Sequence, residues 1–221
     1  MRIVCYFAAD PNNSTEYKLA DYDKIWPVMQ QSVEAQGYTL IHLTSLDDRA
    51  RCAQTARIDV DPSKIMLSRE IAWMRFLEQL PDGEQAALIE PDCVLRKPIP
   101  PLADDKDAML LLRPGKPMPS GFRLATNKAL RFYREVVDLY RWATPEKQVM
   151  HGDVDSIAKV LGIDRGNAAR LPHSWKTVRF EHRNWTDYTS KLWRHAVAWN
   201  FKGWSKDVMI DMANGIQPEL R

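Results

Sequence analysis

The chain has 221 residues, 45% of them hydrophobic and 27% charged, which is enough for one large domain with a sizeable buried core. Its 31 basic residues nearly match 29 acidic ones, a formal net charge of +2, so charge gives no reason to expect a nucleic-acid partner. No apolar run approaches the roughly 20 residues of a membrane span, and no signal-peptide pattern precedes the first strand-like run. Cys5, Cys52 and Cys93 lack metal-ligand spacing, and Cys5 and Cys93 sit in apolar runs. A cytoplasmic protein with buried free thiols is expected.

Arg2 to Ala9 reads as a first buried strand ending at the turn formers Asp10-Pro11-Asn12-Asn13-Ser14. The loop after the first strand of an α/β sheet suits a nucleotide base or ribose, which makes Asp10 a candidate; a plain turn aspartate is the alternative. Tyr22 to Gln36 has helical spacing, closed by Gly37, and Tyr38 to Thr44 is a second strand followed by a polar loop. This β-α-β order predicts a parallel sheet. Asp61-Pro62-Ser63 opens a second helix to about Leu80, with Leu67, Ile71, Met74 and Leu77 on its core face. Arg69 and Arg75 lie off that stripe and read as solvated, although a helix just before the next strand can aim an arginine such as Arg69 at a phosphate.

Ala86 to Ile89 reads as the central strand, and it stops at Glu90-Pro91-Asp92. Pro91 cannot donate to a sheet ladder and marks the opening of a turn. Side chains two apart on an extended segment point the same way, so Glu90 and Asp92 are expected to reach one hard cation together. Acid-x-acid is a weak motif, and the same residues suit a solvated strand end. Arg96 to Leu102 is a proline-stiffened connection, and Ala108 to Leu112 a further strand. Met118 to Ala125 pairs a small-residue turn with a short strand, in which Gly121 permits close backbone approach by a ligand. A helix runs from Thr126-Asn127 through Trp142. His151-Gly152-Asp153-Val154-Asp155 introduces another, Ser156 to Leu161, whose two leading carboxylates also suit helix capping. From Arg165 the periodicity weakens, and Trp175, Trp185, Trp193, Trp199 and Trp204 fall in this tail. Such aromatic density lines a sugar or nucleotide pocket, or anchors a less regular segment onto the body.

Ile89-Glu90-Pro91-Asp92-Cys93-Val94, Ser120-Gly121-Phe122-Arg123-Leu124, Asp153-Val154-Asp155 and Asn200-Phe201-Lys202-Gly203-Trp204-Ser205-Lys206, in that order, resemble the motifs of the nucleotide-sugar glycosyltransferases of the GT-A fold. The pattern is closest to the glycogenin and lipopolysaccharide-galactosyltransferase type. The first resembles the DxD motif with glutamate for the first aspartate; the last resembles His-x-x-Gly-x-x-Lys with asparagine for histidine. The resemblance implies one α/β domain over 1–221, with a mainly parallel sheet flanked by helices. An irregular C-terminal segment, 165–221, would close the site. It implies transfer of a sugar from a nucleoside-diphosphate sugar to an unknown acceptor, with a manganese or magnesium ion held by Glu90, Asp92 and Asn200. Lys206 and Gly203 would meet the diphosphate, and Asp153 or Asp155 would orient sugar or acceptor hydroxyls. Val154 stands where the family has glutamine, and Asn200 offers a neutral oxygen where the family has an imidazole.

Two rival readings accompany this one. A catalytically degenerate nucleotide-sugar binding or interaction protein accounts for Val154 and Asn200. A nucleotidyltransferase would share the sheet and the carboxylates, but no glycine- and arginine-rich phosphate loop follows the first strand.

Overall fold

Ile3, Val4, Cys5 and Tyr6 are all buried, which consecutive strand residues achieve only where both faces of a sheet are covered. They belong to β1 (Arg2–Tyr6). The computed structural model describes residues 1–8, 19–45, 52, 54–112, 119–149, 152–162, 177–181, 185–187, 195–201, 205–216 and 218. The strand predicted over Arg2 to Ala9 ends at Tyr6, with Phe7 and Ala8 buried beyond it.

Around β1 the described residues form a seven-stranded sheet. The order is β3 (Gln54–Arg57), β2 (Leu40–Thr44), β1, β4 (Ala86–Leu88), β7 (Pro119–Ala125), β6 (Ala108–Leu112) and β8 (Val178–Glu181). β3, β2, β1 and β4 run parallel; β7 is antiparallel to β4 and to β6, and β8 is parallel to β6. The α/β sheet flanked by helices is the architecture expected. β3 was not predicted: its sequence, Gln-Thr-Ala-Arg, is polar and largely exposed at the sheet edge, so it carries no apolar signal. Pro119 to Gly121 are strand residues rather than a turn.

Strand alternation sorts the core into two layers. Ile3 and Cys5 of β1 and Ala87 of β4 pack with α1 (Leu19–Glu34) through Ile25, Met29 and Val33. Val4 and Tyr6 of β1 and Ala86 and Leu88 of β4 pack on the opposite side. That layer holds α2 (Ile65–Glu78), α3 (Leu130–Arg141) and α5 (Gly152–Leu161). The turn after α1 closes at Gly37, whose φ of 77° is the left-handed conformation expected of a glycine there. α5 begins at Gly152 rather than Ser156, which places Asp153 and Asp155 inside its first turn.

Parts of the tail expected to be irregular carry regular elements. β10 (Ala198–Asn200) pairs antiparallel with β5 (Cys93–Leu95) and parallel with β9 (Trp185–Asp187). Ala198, Trp199 and Asn200 therefore belong to a second, three-stranded sheet. α6 (Lys206–Ala213) then packs on α1. Trp199 is fully buried, with the Arg96 guanidinium 4.1 Å from its ring centroid. Cys5 and Cys93 are buried free thiols, as expected. Among the described residues no helix is long and apolar enough to cross a membrane.

Gly152 shows how tightly α5 is seated. A Cβ at this position would fall inside the van der Waals shell of the Tyr140 ring and 2.5 Å from the Lys147 carbonyl oxygen. The Tyr140 hydroxyl donates to that same oxygen at 2.9 Å, so the ring is not free to retreat. Gly152→Ala should destabilise the fold by about 1–3 kcal/mol through overpacking, read as a lower urea midpoint at unchanged m value.

Candidate functional site

After β4 the chain keeps to the sheet for one more residue, with the Ile89 amide donating to Val4 O at 2.9 Å. It then turns. The Cys93 amide donates to Glu90 O at 3.1 Å, closing a four-residue turn with Pro91 and Asp92 at its centre. The same-side rule for an extended segment does not apply across such a turn. Glu90 goes to Arg69 on α2, while Asp92 goes to Asn200 on β10 and Lys206 on α6.

On the Asp92 side, the antiparallel register of β10 with β5 sets Asn200 opposite Cys93. Asn200 Nδ2 donates to Asp92 Oδ1 at 2.9 Å and to Cys93 Sγ at 3.1 Å. The Phe201 amide donates to Asp92 O at 2.8 Å, so backbone and side chain both tie this part of the tail to the turn. Lys206 Nζ lies 3.9 Å from Asp92 Oδ2, donates to the Tyr22 hydroxyl at 2.9 Å, and stands 4.6 Å from the Tyr22 ring centroid. Asp92, Asn200 and Lys206 thus converge, although more than a hundred residues separate the first from the others. Burial raises the Cys5 thiol well above its ordinary value, and Cys93, Glu90 and Asp92 add to that effect.

Asn200 Oδ1 is buried without a hydrogen-bond partner. A carboxylate and an unsatisfied amide oxygen suit a hard divalent cation. Asp92 and Asn200 carry the oxygen donors such an ion takes, with the Asn200 amide turned so that its nitrogen faces Asp92; Glu90, the third ligand expected, has an oxygen on Arg69. Among the described residues no three His, Cys, Asp or Glu side chains form a metal-binding group.

On the other side lies a buried cluster of charge. Arg69 Nη1 is bonded to Glu90 Oε1; its Nη2 donates to Asp153 Oδ2 at 2.6 Å and to Glu70 Oε1 at 3.0 Å, and its Nε to Glu70 Oε1 at 3.2 Å. Arg123 on β7 bonds Glu70 Oε2 through Nη1 and reaches Asp153 Oδ2 at 3.4 Å through Nη2. Two guanidiniums face three carboxylates, and Glu70 and Arg123 are 0% exposed. Burial alone would lower the Arg69 guanidinium, but Glu70, Glu90 and Asp153 outweigh it and hold it well above its ordinary value. The expectation that Arg69 is solvated is corrected, because the buried face of α2 runs through Arg69, Glu70, Trp73 and Leu77, leaving Ile71 and Met74 half-buried.

Among the other predicted residues, Asp153 joins this cluster and its Oδ1 is buried without a partner. Asp155 departs from it to pair with Lys147 at 2.9 Å, as residues two apart on a helix diverge. Gly121 lies within β7, and Asp10 and Gly203 fall outside the described residues. Sequence reasoning missed Glu70, Arg123 and Tyr22. The signal for Arg123 was its alternation with Phe122 and Leu124, which pack on the α1 side; in a sheet covered on both faces, the opposite side is also interior.

Neither a family model nor a curated protein sequence matches this chain. Solved structures do. A glycosyltransferase involved in glycosylation of the major capsid of PBCV-1 matches with a TM-score of 0.56 at 11% identity, over 98% of this chain and 100% of that one. The fold is GT-A-like. The galactosyltransferase LgtC, solved with donor and acceptor sugar analogs, matches with a TM-score of 0.54 at 14% identity, covering 99% and 97%. The glycosyltransferase GlyE of Streptococcus pneumoniae TIGR4 matches with a TM-score of 0.58 at 8% identity, covering 96% of this chain and 60% of its own. In this GT-A-like sheet the Glu90–Asp92 turn sits at the C-terminal end of β4, on the flank of β1 opposite β2, where strand order reverses and ligands of open α/β sheets bind.

Arg69→Met would leave three buried carboxylates facing one guanidinium and should cost about 3–5 kcal/mol. Asp155→Ala, breaking a pair whose lysine is largely exposed, should cost less than about 1 kcal/mol. Chemical denaturation of the two variants checks the contrast. Burial pushes the Tyr133 hydroxyl up to about 12, against an opposing pull from Arg123. A phenol that keeps its proton longer in the native state contributes stability that is full below pH about 10 and declines as pH rises toward 12. Unfolding free energies measured from pH 8 to 11.5 should show that decline, and Tyr133→Phe should reduce its slope.

Proposed function

We propose that the protein transfers a glycosyl group from a nucleoside-diphosphate sugar to an acceptor, with a divalent manganese or magnesium ion. The observation that carries this reading is the convergence of Asp92, Asn200 and Lys206 at the end of β4, in a fold shared along nearly the whole chain with glycosyltransferases. One of those proteins was solved with donor and acceptor sugar analogs, the ligand class proposed here.

When the bond to the sugar breaks, the diphosphate leaving group gains charge that must be stabilised in place. A bound divalent ion supplies Lewis-acid neutralisation of that charge, and Asp92 and Asn200 would hold it. Lys206 adds a point charge, leaving its contact with the Tyr22 hydroxyl for a diphosphate oxygen. Asp153, fixed by Arg69 and Arg123, offers its unsatisfied Oδ1 to a sugar or acceptor hydroxyl. With the neutral Asn200 amide as a ligand, metal affinity would be weak without nucleotide, whose diphosphate oxygens would supply the further donors a hard cation takes.

Calorimetry with nucleoside diphosphates in the presence and absence of manganese tests this. Binding should require the metal in the wild type and be lost in Asp92→Asn, whose circular dichroism should remain native. A screen of nucleotide sugars for diphosphate release should then reveal turnover. Nucleotide binding indifferent to both manganese and Asp92→Asn would refute the metal site, and metal-dependent binding without turnover on any donor would indicate a binding protein instead.

A further inference from the structure

We propose that Glu70 is a positioning residue for transfer: its carboxylate, shared by Arg69 and Arg123, sets the Arg69 guanidinium so that it spans Glu90 and Asp153. This rests on the glycosyl-transfer reading above.

Adjacent residues on a helix project about 100° apart, so a side-chain bond between Arg69 and Glu70 is not the local default of α2. Arg123 supplies the reason. It approaches from β7 and binds Glu70 Oε2, which leaves Oε1 to take both Nε and Nη2 of Arg69. The guanidinium is planar and its donors are fixed relative to one another, so anchoring the Nε–Nη2 edge directs the rest of the group. Nη1 then meets Glu90 at the end of β4, and Nη2 also meets Asp153 on α5. Arg123 contributes a second time by reaching the same Asp153 oxygen that Arg69 uses, so Oδ1 is the oxygen left over.

Stability alone does not account for this arrangement. A buried ion pair can often be replaced by apolar residues of similar volume at no loss of stability. What the Glu70–Arg123 pair adds is direction. It sits behind Arg69 at zero exposure and governs how the turn carrying Glu90 and the helix carrying Asp153 are held relative to each other.

The test compares wild type, Glu70→Gln, and the double variant Glu70→Gln/Arg123→Met, which removes one charge of each sign and keeps the cluster's net charge. Glu84→Gln, in the exposed pair with Arg2, is the surface control and should leave every readout unchanged. The double variant should melt within a few degrees of wild type and bind nucleoside diphosphate within about threefold. Its kcat should nevertheless fall about 10- to 100-fold, the scale expected when a reacting group is misplaced by about 1 Å. Glu70→Gln alone should lose both thermal stability and kcat; if the double variant recovers kcat together with stability, the pair is merely structural and the proposal is overturned. Should the double variant fail to fold, Arg123→Lys is read in its place, since it keeps the charge but not the fork. If wild type turns over no nucleotide sugar, the glycosyl-transfer reading fails, and positioning is decided by arginine side-chain NMR. Loss of a slowly exchanging Arg69 Nε–H signal in a natively stable variant supports it, and persistence of that signal overturns it.

Discussion

Two guanidiniums buried away from water must be answered by carboxylates held at hydrogen-bond distance, because desolvating a charge costs several kcal/mol that only good geometry offsets. In this protein the answer comes from α2 itself and from two elements that carry no arginine of the cluster. Glu70 shares α2 with Arg69, Glu90 ends the β4 run, Asp153 opens α5, and Arg123 enters from the middle of β7. The positions of α2, α5, β4 and β7 are therefore mutually dependent. Moving any one of them leaves a charge unpaired in the interior.

The two faces of the sheet differ accordingly. On the α1 side the packing is apolar and aromatic: Phe7 stacks on Tyr22 with centroids 5.0 Å apart, and Trp26 lies 6.1 Å from Phe7. The Lys206 ammonium comes to this aromatic group from α6. On the α2 side Tyr133, which packs on Trp73 and Phe132 in the second core layer, adjoins Arg123 and Glu70 of the charged cluster. The Glu90–Asp92 turn joins the two environments, with one carboxylate given to each. A tight turn with proline at its centre achieves this separation, where an extended strand would have sent both side chains the same way.

Legibility from the sequence followed the strength of local signals. Apolar runs buried on both faces gave β1, β2, β4 and β6, and helical spacing with a terminal glycine gave α1. β3 stayed hidden because an edge strand pairs through its backbone and needs no apolar side chains. The helix at 61–80 was legible, but its buried face was misjudged at Arg69, since charge reads as solvent exposure unless the partners are known. Arg123 was hidden for the same reason, one strand away from the carboxylate it needs.

By itself, the sequence determined the α/β alternation, the end of the central strand at two carboxylates, and, through the order of four motifs, which distant segments belonged together. Tertiary structure decided how their charges were shared. Glu90 faces Arg69, Asp92 faces Asn200 and Lys206, and Asp153 is in the interior while Asp155 meets an exposed lysine. Periodicity records whether a position suits a strand or a helix, which depends on a few neighbouring residues. The partner of a buried charge is fixed by packing between residues 21 to 108 positions apart, since the cost of desolvation depends on everything around the group at once.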